Sequence, residues 1–190
     1  MFSRIHVVGV AGIICSAIAI SFVTFNPPVQ SSPIEHQVAQ VSSGLPVRLT
    51  IPKIKVNAAI EYVGVTSTGI MDAPKGPDTV AWYDRGPRPG EKGSAVIDGH
   101  SGWKNNTLAV FDTLYTLQKG DKIYVEDTEG VTITFVVREV RIYDPKADAS
   151  GVFFSNDGKA HLNLITCEGV WDVVSKSSPK RFVLFSDKEE

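Results

Sequence analysis

Apolar and polar residues alternate in short runs along most of the chain, and this pattern predicts β-strands. The runs are VRLTI (47–51), AAIEYV (58–63), VAWY (80–83), SAVID (94–98), KIYVED (122–127), VTITFVVREV (131–140), HLNLIT (161–166) and RFVLF (181–185). The TEG segment between the fifth and sixth runs predicts a hairpin with Gly130 in its turn. About eight short strands at close spacing indicate a mainly β domain, either a closed barrel or a sandwich.

One segment departs from the alternating pattern. In NTLAVFDTLYTLQKG (106–120) the apolar residues recur at helical spacing, and Gly120 follows as a stop signal. The residues that carry this spacing are Leu108, Phe111, Leu114, Tyr115 and Leu117. The sequence therefore predicts an all-β fold with one or two short helices, one of them in this segment.

The N-terminal segment is of a different kind. Val7–Phe25 contains no charged residue and approaches the roughly 20 residues that a helix needs to cross a bilayer. A cleaved signal peptide has a shorter apolar stretch and a small-residue cleavage site, which TFNPPV does not supply, so the pattern favours an uncleaved anchor. Arg4 on the short side predicts a cytoplasmic N-terminus and an extracytoplasmic remainder. We expect residues 1–25 to be the membrane anchor, 26–44 a linker and 45–190 the folded domain.

The charge and the cysteine content of the chain limit the kinds of partner and site that it is expected to have. The formal net charge of −2 and the pI of about 6.1 give no reason to expect a nucleic-acid partner. The two cysteines are Cys15, inside the apolar N-terminal segment, and Cys167, so a disulfide between them is not expected. Cys167 is then a free thiol in an exported domain, where such a thiol is a candidate reactive group. No cluster of Cys and His residues predicts a zinc site.

A catalytic thiol needs a base and an electrostatic partner. His161 begins the strand of Cys167 and lies about 20 Å away along it, so His161 is not its direct partner. His100 follows the strand AVID at a strand end and is the candidate base. If 161–167 and 181–185 are consecutive antiparallel strands, Arg181 lies beside Cys167, where an arginine lowers a thiol pKa or holds an oxyanion.

Three stretches of the sequence resemble the sortases, a family of bacterial cysteine transpeptidases. Asn163 to Cys167, NLITC, is similar to the family motif Thr-Leu-x-Thr-Cys, with Asn in place of the first Thr. WYDRGPRPGEKGSAVIDGHSGW (82–103) resembles the stretch that leads to the family's catalytic histidine. VFDTLYTLQKGDKIYV (110–125) is similar to the following helix and strand. The resemblance extends over about Leu45 to Phe185.

The resemblance implies a closed eight-stranded β-barrel and a reaction. Cys167 would attack a Leu-Pro-x-Thr-Gly-like sorting signal between Thr and Gly and form a thioester. His100 would act as general acid and base, and Arg181 would bind the substrate and stabilise the oxyanion. The implied partners are surface proteins that carry a C-terminal sorting signal, an amine acceptor of the cell wall, and the membrane that holds the N-terminal helix.

The resemblance also implies a lidless enzyme with a single anchor. Pilin-polymerising sortases carry an Asp-Pro-aromatic plug and a second, C-terminal membrane helix. Residues 26–46 contain no Asp, and the chain ends in the charged segment SDKEE. We therefore expect an enzyme that resembles the shorter housekeeping classes.

Weaker signals concern the substrate groove and metals. We assign Thr166, Trp171 and Asp98 to substrate binding, although an Asp that caps its own turn and a Trp that packs on a loop are equally ordinary. The acidic turn Glu126–Gly130 and the loop 144–159 raise the possibility of calcium, but the spacing of their acids matches no calcium motif. We therefore predict no cofactor and no metal.

Two other functions fit part of the sequence. An L,D-transpeptidase is also exported and uses Cys and His, but LITCEGV lacks its His and Gly immediately before the Cys and its Arg two residues after it. A β-barrel that binds peptides without catalysis, or that only hydrolyses them, is the remaining alternative. A reactive Cys167 favours the transpeptidase over the inert binding module.

Overall fold

The computed structural model describes residues 44–169, 172 and 178–190. The predicted anchor, almost all of the predicted linker, and Trp171 lie outside these residues. Within them, no helix has the length and apolar character needed to span a bilayer. The predicted boundaries at residues 25 and 44 remain predictions.

Eight strands form a closed barrel, as the resemblance implied. They are β1 (Pro46–Ile51), β2 (Val56–Val63), β3 (Val80–Tyr83), β4 (Gly93–Gly99), β5 (Lys122–Asp127), β6 (Thr132–Tyr143), β7 (Ala160–Glu168) and β8 (Lys180–Lys188). Around the barrel the order is β1-β2-β3-β4-β7-β8-β6-β5. The β2–β3 and β4–β7 pairs are parallel and the other pairs are antiparallel. Every predicted strand is present, within a few residues of its predicted ends.

Alternation along β7 separates two apolar clusters. Leu162 and Leu164 point into the barrel, where both are fully buried in the main core. Ile165 points outward and packs in a second cluster with Val183 and Val152. The outer cluster lies beneath α1 (Ser150–Phe153), a short helix in the β6–β7 connection. Strand β7 is therefore covered on both faces, with alternate residues in the two clusters.

The prediction of a helix in residues 106–120 is wrong. The segment begins at the end of one 3₁₀ turn, Lys104–Asn106, and contains further turns and a second 3₁₀ turn, Leu114–Thr116. Phe111, Leu114 and Leu117 are buried, whereas Leu108 is 82% exposed. The buried residues recur every three positions, which places them on one side of a chain with three residues per turn and not on an α-helix.

Candidate active site

The candidate nucleophile lies on the middle strand of three. Strand β7 pairs with β4 on one side and with β8 on the other. Across the β7–β8 ladder, Cys167 is the direct partner of Arg181. Directly paired residues present their side chains on the same face of a sheet. Cys167 and Arg181 therefore lie side by side, the position that antiparallel pairing of these strands predicted, and both are on the outer face.

These side chains open onto one cleft. Its volume is about 1020 Å³, and Cys167, His100, Arg181 and Asp98 all line it. Cys167 is a free, half-buried thiol. His161 does not line the cleft. This position agrees with the expectation that His161 is not the partner of Cys167. The cleft brings together the three predicted catalytic residues and adds a carboxyl group.

The orientation of His100 is set by the connection between β2 and β3. Its Nε2 lies 2.8 Å from the carbonyl oxygen of Pro74. A carbonyl oxygen only accepts hydrogen bonds, so Nε2 carries a proton and donates it. The other ring nitrogen, Nδ1, takes no part in this hydrogen bond. The ring also packs against Trp103, with the ring centroids 4.7 Å apart, so the imidazole is held between a backbone acceptor and an aromatic face.

Two side-chain hydroxyls fasten the end of β4 to the end of β7. Thr166 donates from Oγ1 to the carbonyl oxygen of Gly99 at 2.7 Å. Ser101 donates from Oγ to the carbonyl oxygen of Cys167 at 2.6 Å. These bonds lie just before and just after His100 in the chain. They hold the backbone of the histidine at a fixed position relative to the thiol.

Glycine at position 99 permits close packing at the same place. A Cβ at Gly99 would overlap the ring of Phe111. The backbone N–H of Phe111 also donates to the carbonyl oxygen of His100 at 2.9 Å. The segment that follows His100 therefore folds back over Gly99 and secures His100 from the barrel side.

Arg181 is oriented by its own backbone neighbours. Its Nη1 donates to the carbonyl oxygens of Ser178 and Lys180, both at 3.0 Å. Within the described residues, Nε and Nη2 make no hydrogen bond. A guanidinium that is anchored through one nitrogen presents its remaining N–H groups to the cleft as donors for an anion.

Asp98 contributes a titratable group close to neutral pH. It pairs with Ile165 of β7 and therefore lies on the same outer face as Cys167. Burial raises the pKa of Asp98 to about 7, and the charge of Arg181 and a hydrogen bond from the Gly99 backbone oppose this rise. No hydrogen bond joins Asp98 to His100 among the described residues. Asp98 lies in strand β4 and not in a turn, although its carboxyl accepts the backbone N–H of the next residue, Gly99. Its assignment to substrate binding remains a prediction.

The walls of the cleft are largely apolar. Part of the lining comes from the β2–β3 connection, where Ile70 is 67% exposed, and another part includes Phe154 beside α1. The buried amide of Asn163 donates from Nδ2 to the carbonyl oxygen of Val152 at 2.6 Å and ties α1 to β7. This Asn occupies the position at which the resemblance expected Thr.

The other predicted substrate-binding residues have different positions. Thr166 is buried, with its hydroxyl bonded to Gly99, and Trp171 lies outside the described residues. Both assignments remain predictions. His161 is buried at the start of β7, with Nδ1 2.7 Å from Asp187 and Nε2 3.0 Å from Asp157.

Four of the acids that raised the calcium question accept hydrogen bonds from protein groups: Asp127, Asp144, Asp148 and Asp157. The carboxylate of Asp127 accepts backbone N–H groups from Gly44, Glu129 and Val131. In the part of the chain that the structure describes, no group of three or more His, Cys, Asp or Glu residues is arranged to hold a metal. The prediction of a metal-free enzyme is not tested by this finding.

Three residues that help to position the candidate site were not predicted from the sequence. Ser101 had a signal, because it directly follows the candidate histidine. Pro74 acts through its carbonyl oxygen, which any residue type supplies, so no signal exists for it. Asn163 was noticed only as a departure from a motif, and its bond to Val152 connects two segments that no local pattern relates.

Comparison with known proteins gives a consistent result. The family model described as "Sortase domain" matches residues 49–189. Among solved structures, sortase C-1 from Actinomyces oris has 23% sequence identity and a TM-score of 0.61, over 76% of this chain and 75% of that chain. A lid mutant of sortase A from Corynebacterium diphtheriae has 22% identity and a TM-score of 0.58, over 78% and 72%.

A third structure belongs to another class. It is a sortase D5 transpeptidase from Clostridium perfringens, with 21% identity and a TM-score of 0.56, over 77% of this chain and 79% of that chain. At these identities the similarity shows the fold. Among curated proteins no sequence matches.

Proposed function

The chain belongs to the sortase family, and from this membership we propose that it is a cysteine transpeptidase with Cys167 as nucleophile, His100 as general acid and base, and Arg181 as oxyanion and substrate ligand. The observation that carries the proposal is the convergence of these three side chains on one cleft. Family membership alone does not require it, because a decayed barrel keeps the fold without the trio.

In the proposed acylation step, the Cys167 thiolate attacks the carbonyl carbon of the scissile peptide bond. The carbonyl oxygen takes up the negative charge and accepts hydrogen bonds from Arg181, whose Nε and Nη2 lack other partners among the described residues. The C–N bond breaks, and protonated His100 gives the proton on Nδ1 to the leaving nitrogen. A thioester on Cys167 and a neutral imidazole remain.

In the proposed transfer step, a neutral amine attacks the thioester carbon. The amine gives a proton to Nδ1 of His100, the C–S bond breaks, and the sulfur leaves as a thiolate. An amide product and the thiolate–imidazolium pair result. The proton on Nε2 stays in its hydrogen bond to Pro74 throughout, so the ring keeps its orientation while Nδ1 exchanges protons.

The proposed donor substrate is a Leu-Pro-x-Thr-Gly-like sorting signal, cleaved after Thr. The apolar walls of the cleft, which include Ile70 and Phe154, suit the Leu and Pro side chains, and Arg181 suits the peptide carbonyl groups. The proposed donors are surface proteins that end in such a signal.

We place the enzyme outside the cytoplasm on a bacterial membrane. The support is the uncharged segment Val7–Phe25 behind Arg4. A protease accessibility assay on spheroplasts tests the topology: digestion of the catalytic domain from outside supports it, and protection contradicts it.

The full chain, purified in mild detergent, tests the activity with a panel of Leu-Pro-x-Thr-Gly peptides and triglycine as acceptor. Mass spectrometry follows cleavage after Thr and the ligated product. Ligation that disappears in Cys167→Ala supports the transpeptidase. Cleavage without ligation at any amine concentration supports the hydrolase, and absence of both with every peptide, on a folded protein, supports the binding module.

A further inference from the structure

A second cavity adjoins the candidate nucleophile. It has a volume of about 390 Å³ and lies at the mouth of the barrel. Its floor consists of side chains from the barrel interior, including Phe111 and Phe182, which are almost completely buried. Cys167 lines both this mouth cavity and the larger cleft. The nucleophile therefore has two approaches, one from the outer face of the sheet and one from the barrel end.

The two approaches differ in charge. Arg181 and His100 line the larger cleft and are absent from the lining of the mouth cavity. The mouth cavity has two carboxylates instead, those of Asp112 and Glu168. Both oxygens of Asp112 already accept backbone N–H groups, from Gly102 at 2.5 Å and from Ala109 at 2.9 Å. Asp112 therefore shapes the loop that walls the cavity.

The carboxylate of Glu168, unlike that of Asp112, accepts no backbone N–H group within the described residues. Glu168 follows Cys167 directly, is half-buried, and faces away from the larger cleft because neighbouring residues in a strand point to opposite faces. Within the described residues its carboxylate makes no hydrogen bond and no ion pair. Its direct partner across the ladder, Lys180, is exposed and forms no salt bridge with it among the described residues.

We propose that the mouth cavity binds the amine acceptor, with the Glu168 carboxylate as the ligand of an aliphatic ammonium group. The proposal rests on the transpeptidase function proposed above. Once Cys167 carries the acyl group, the larger cleft holds the donor peptide, and the mouth cavity is the remaining approach that Cys167 also lines. The cation is favoured by Glu168, and the aromatic floor suits the methylene or peptide stem behind it.

The proton balance fits a carboxylate that holds the acceptor without acting as a base. An ammonium ion gives up two protons in forming an amide. The first goes to water and leaves the neutral amine at the thioester. The second goes to Nδ1 of His100 as the C–S bond breaks and the thiolate leaves. Glu168 raises the local concentration of the ammonium form next to the thioester, where these proton transfers begin.

The test measures how one acyl-enzyme divides between two competing acceptors, water and an added amine. The full chain reacts with the donor peptide at a series of amine concentrations, and mass spectrometry gives the ratio of ligated to hydrolysed product. Both products arise from the same thioester, so their ratio does not depend on the rate of acylation. Triglycine and Nα-acetyl-lysine amide serve as separate acceptors, to distinguish a backbone amine from a side-chain amine.

The expected result is specific to Glu168→Gln. We expect this variant to need about three- to tenfold more amine to reach the same ratio, the effect of removing one nearby charge in a partly solvated site. Glu129→Gln, in the distant β5–β6 turn, removes an equal charge and should leave the ratio unchanged. An unchanged ratio in Glu168→Gln with both acceptors overturns the proposal.

A second readout does not require a peptide substrate. Cys167 is modified with a trimethylammonium-ethyl methanethiosulfonate and with the neutral methyl reagent, and the ratio of the two rates is measured. Glu168→Gln should lower this ratio about three- to tenfold, and Glu129→Gln should not. If no acyl-enzyme forms, the transpeptidase proposal fails, and this ratio still decides whether Glu168 attracts a cation to Cys167; an unchanged ratio overturns it.

Discussion

Cys167 and Arg181 are direct partners across the β7–β8 ladder, with both side chains on the outer face of the barrel. The register of two antiparallel strands, and not a flexible loop, therefore sets the position of the guanidinium relative to the sulfur. His100 approaches from β4, the strand on the other side of β7. The trio is thus assembled from three consecutive strands of one sheet.

Loss of Arg181 should abolish most activity without removing the nucleophile. We expect Arg181→Ala to lower kcat/KM for peptide cleavage by about 10²- to 10³-fold, the usual effect of removing one oxyanion donor. Steady-state kinetics with the peptide panel measure the change. Arg141→Ala is the matched control, because Arg141 is exposed on β6 and paired with Glu139. A loss of equal size in both variants would contradict the role of Arg181.

The hydroxyl of Ser101 should matter for activity more than for stability. Ser101→Ala removes its 2.6 Å bond to the Cys167 carbonyl oxygen and should cost about 1 kcal/mol of unfolding free energy. Ser186→Ala removes a bond of the same length to the Leu162 carbonyl oxygen, in the barrel core. We expect about a tenfold fall in kcat/KM, from misplacement of His100, in Ser101→Ala alone. Equal kinetics in the two variants would show that Ser101 is only structural.

Packing against Gly99 gives a stability prediction with an internal control. In Gly99→Ala the new methyl group overlaps the Phe111 ring, so the barrel end must shift at a cost of about 1–3 kcal/mol. Gly151→Ala, in α1, meets no atom within 4 Å and should be neutral or stabilising. Urea unfolding of both variants measures the difference. A neutral Gly99→Ala would contradict the close packing behind His100.

The raised pKa of Asp98 predicts how stability depends on pH. With a pKa of 3.8 when unfolded and about 7 when folded, the folded state holds a proton that the unfolded state releases between these values. Stability therefore falls as the pH rises from about 4 to 7. At about 1.4 kcal/mol per pKa unit, the fall is on the order of a few kcal/mol.

Asp98→Asn should remove this fall. The measurement is the unfolding free energy at pH 4.5 and at pH 7.5, compared between the variant and the parent so that other titrating groups cancel. Asp84→Asn, at an exposed position, controls for the loss of one carboxyl group. A parent and an Asp98→Asn variant with the same pH dependence would show that Asp98 titrates normally in the folded protein.

The strands and the pairing of the trio were predictable because they depend on local alternation and on adjacency in the chain. The prediction that 161–167 and 181–185 are consecutive antiparallel strands made Arg181 the neighbour of Cys167, and the β7–β8 register agrees. The prediction of a helix in 106–120 was wrong because the spacing of Phe111, Leu114 and Leu117 fits both the α-helix and the 3₁₀-helix. The periods of these two helices differ by less than one residue per turn.

Other features depend on contacts between distant segments. The bond from His100 to the Pro74 carbonyl oxygen joins residues 26 positions apart, through an atom that every residue carries. The raised pKa of Asp98 follows from its burial in the folded protein, which no local pattern specifies. The sequence therefore predicted the candidate reacting groups, and only the three-dimensional structure revealed the contacts that orient His100 and raise the pKa of Asp98.

The most direct test of the central claim is the mass of the enzyme during turnover. The full chain is quenched in acid while it cleaves a Leu-Pro-x-Thr-Gly peptide, and tandem mass spectrometry locates any adduct. We predict an acyl group on Cys167, formed up to Thr, that neutral hydroxylamine removes and that Cys167→Ala lacks. Cleavage of the peptide by an enzyme that never carries this adduct, or that keeps its activity in Cys167→Ala, would contradict the account.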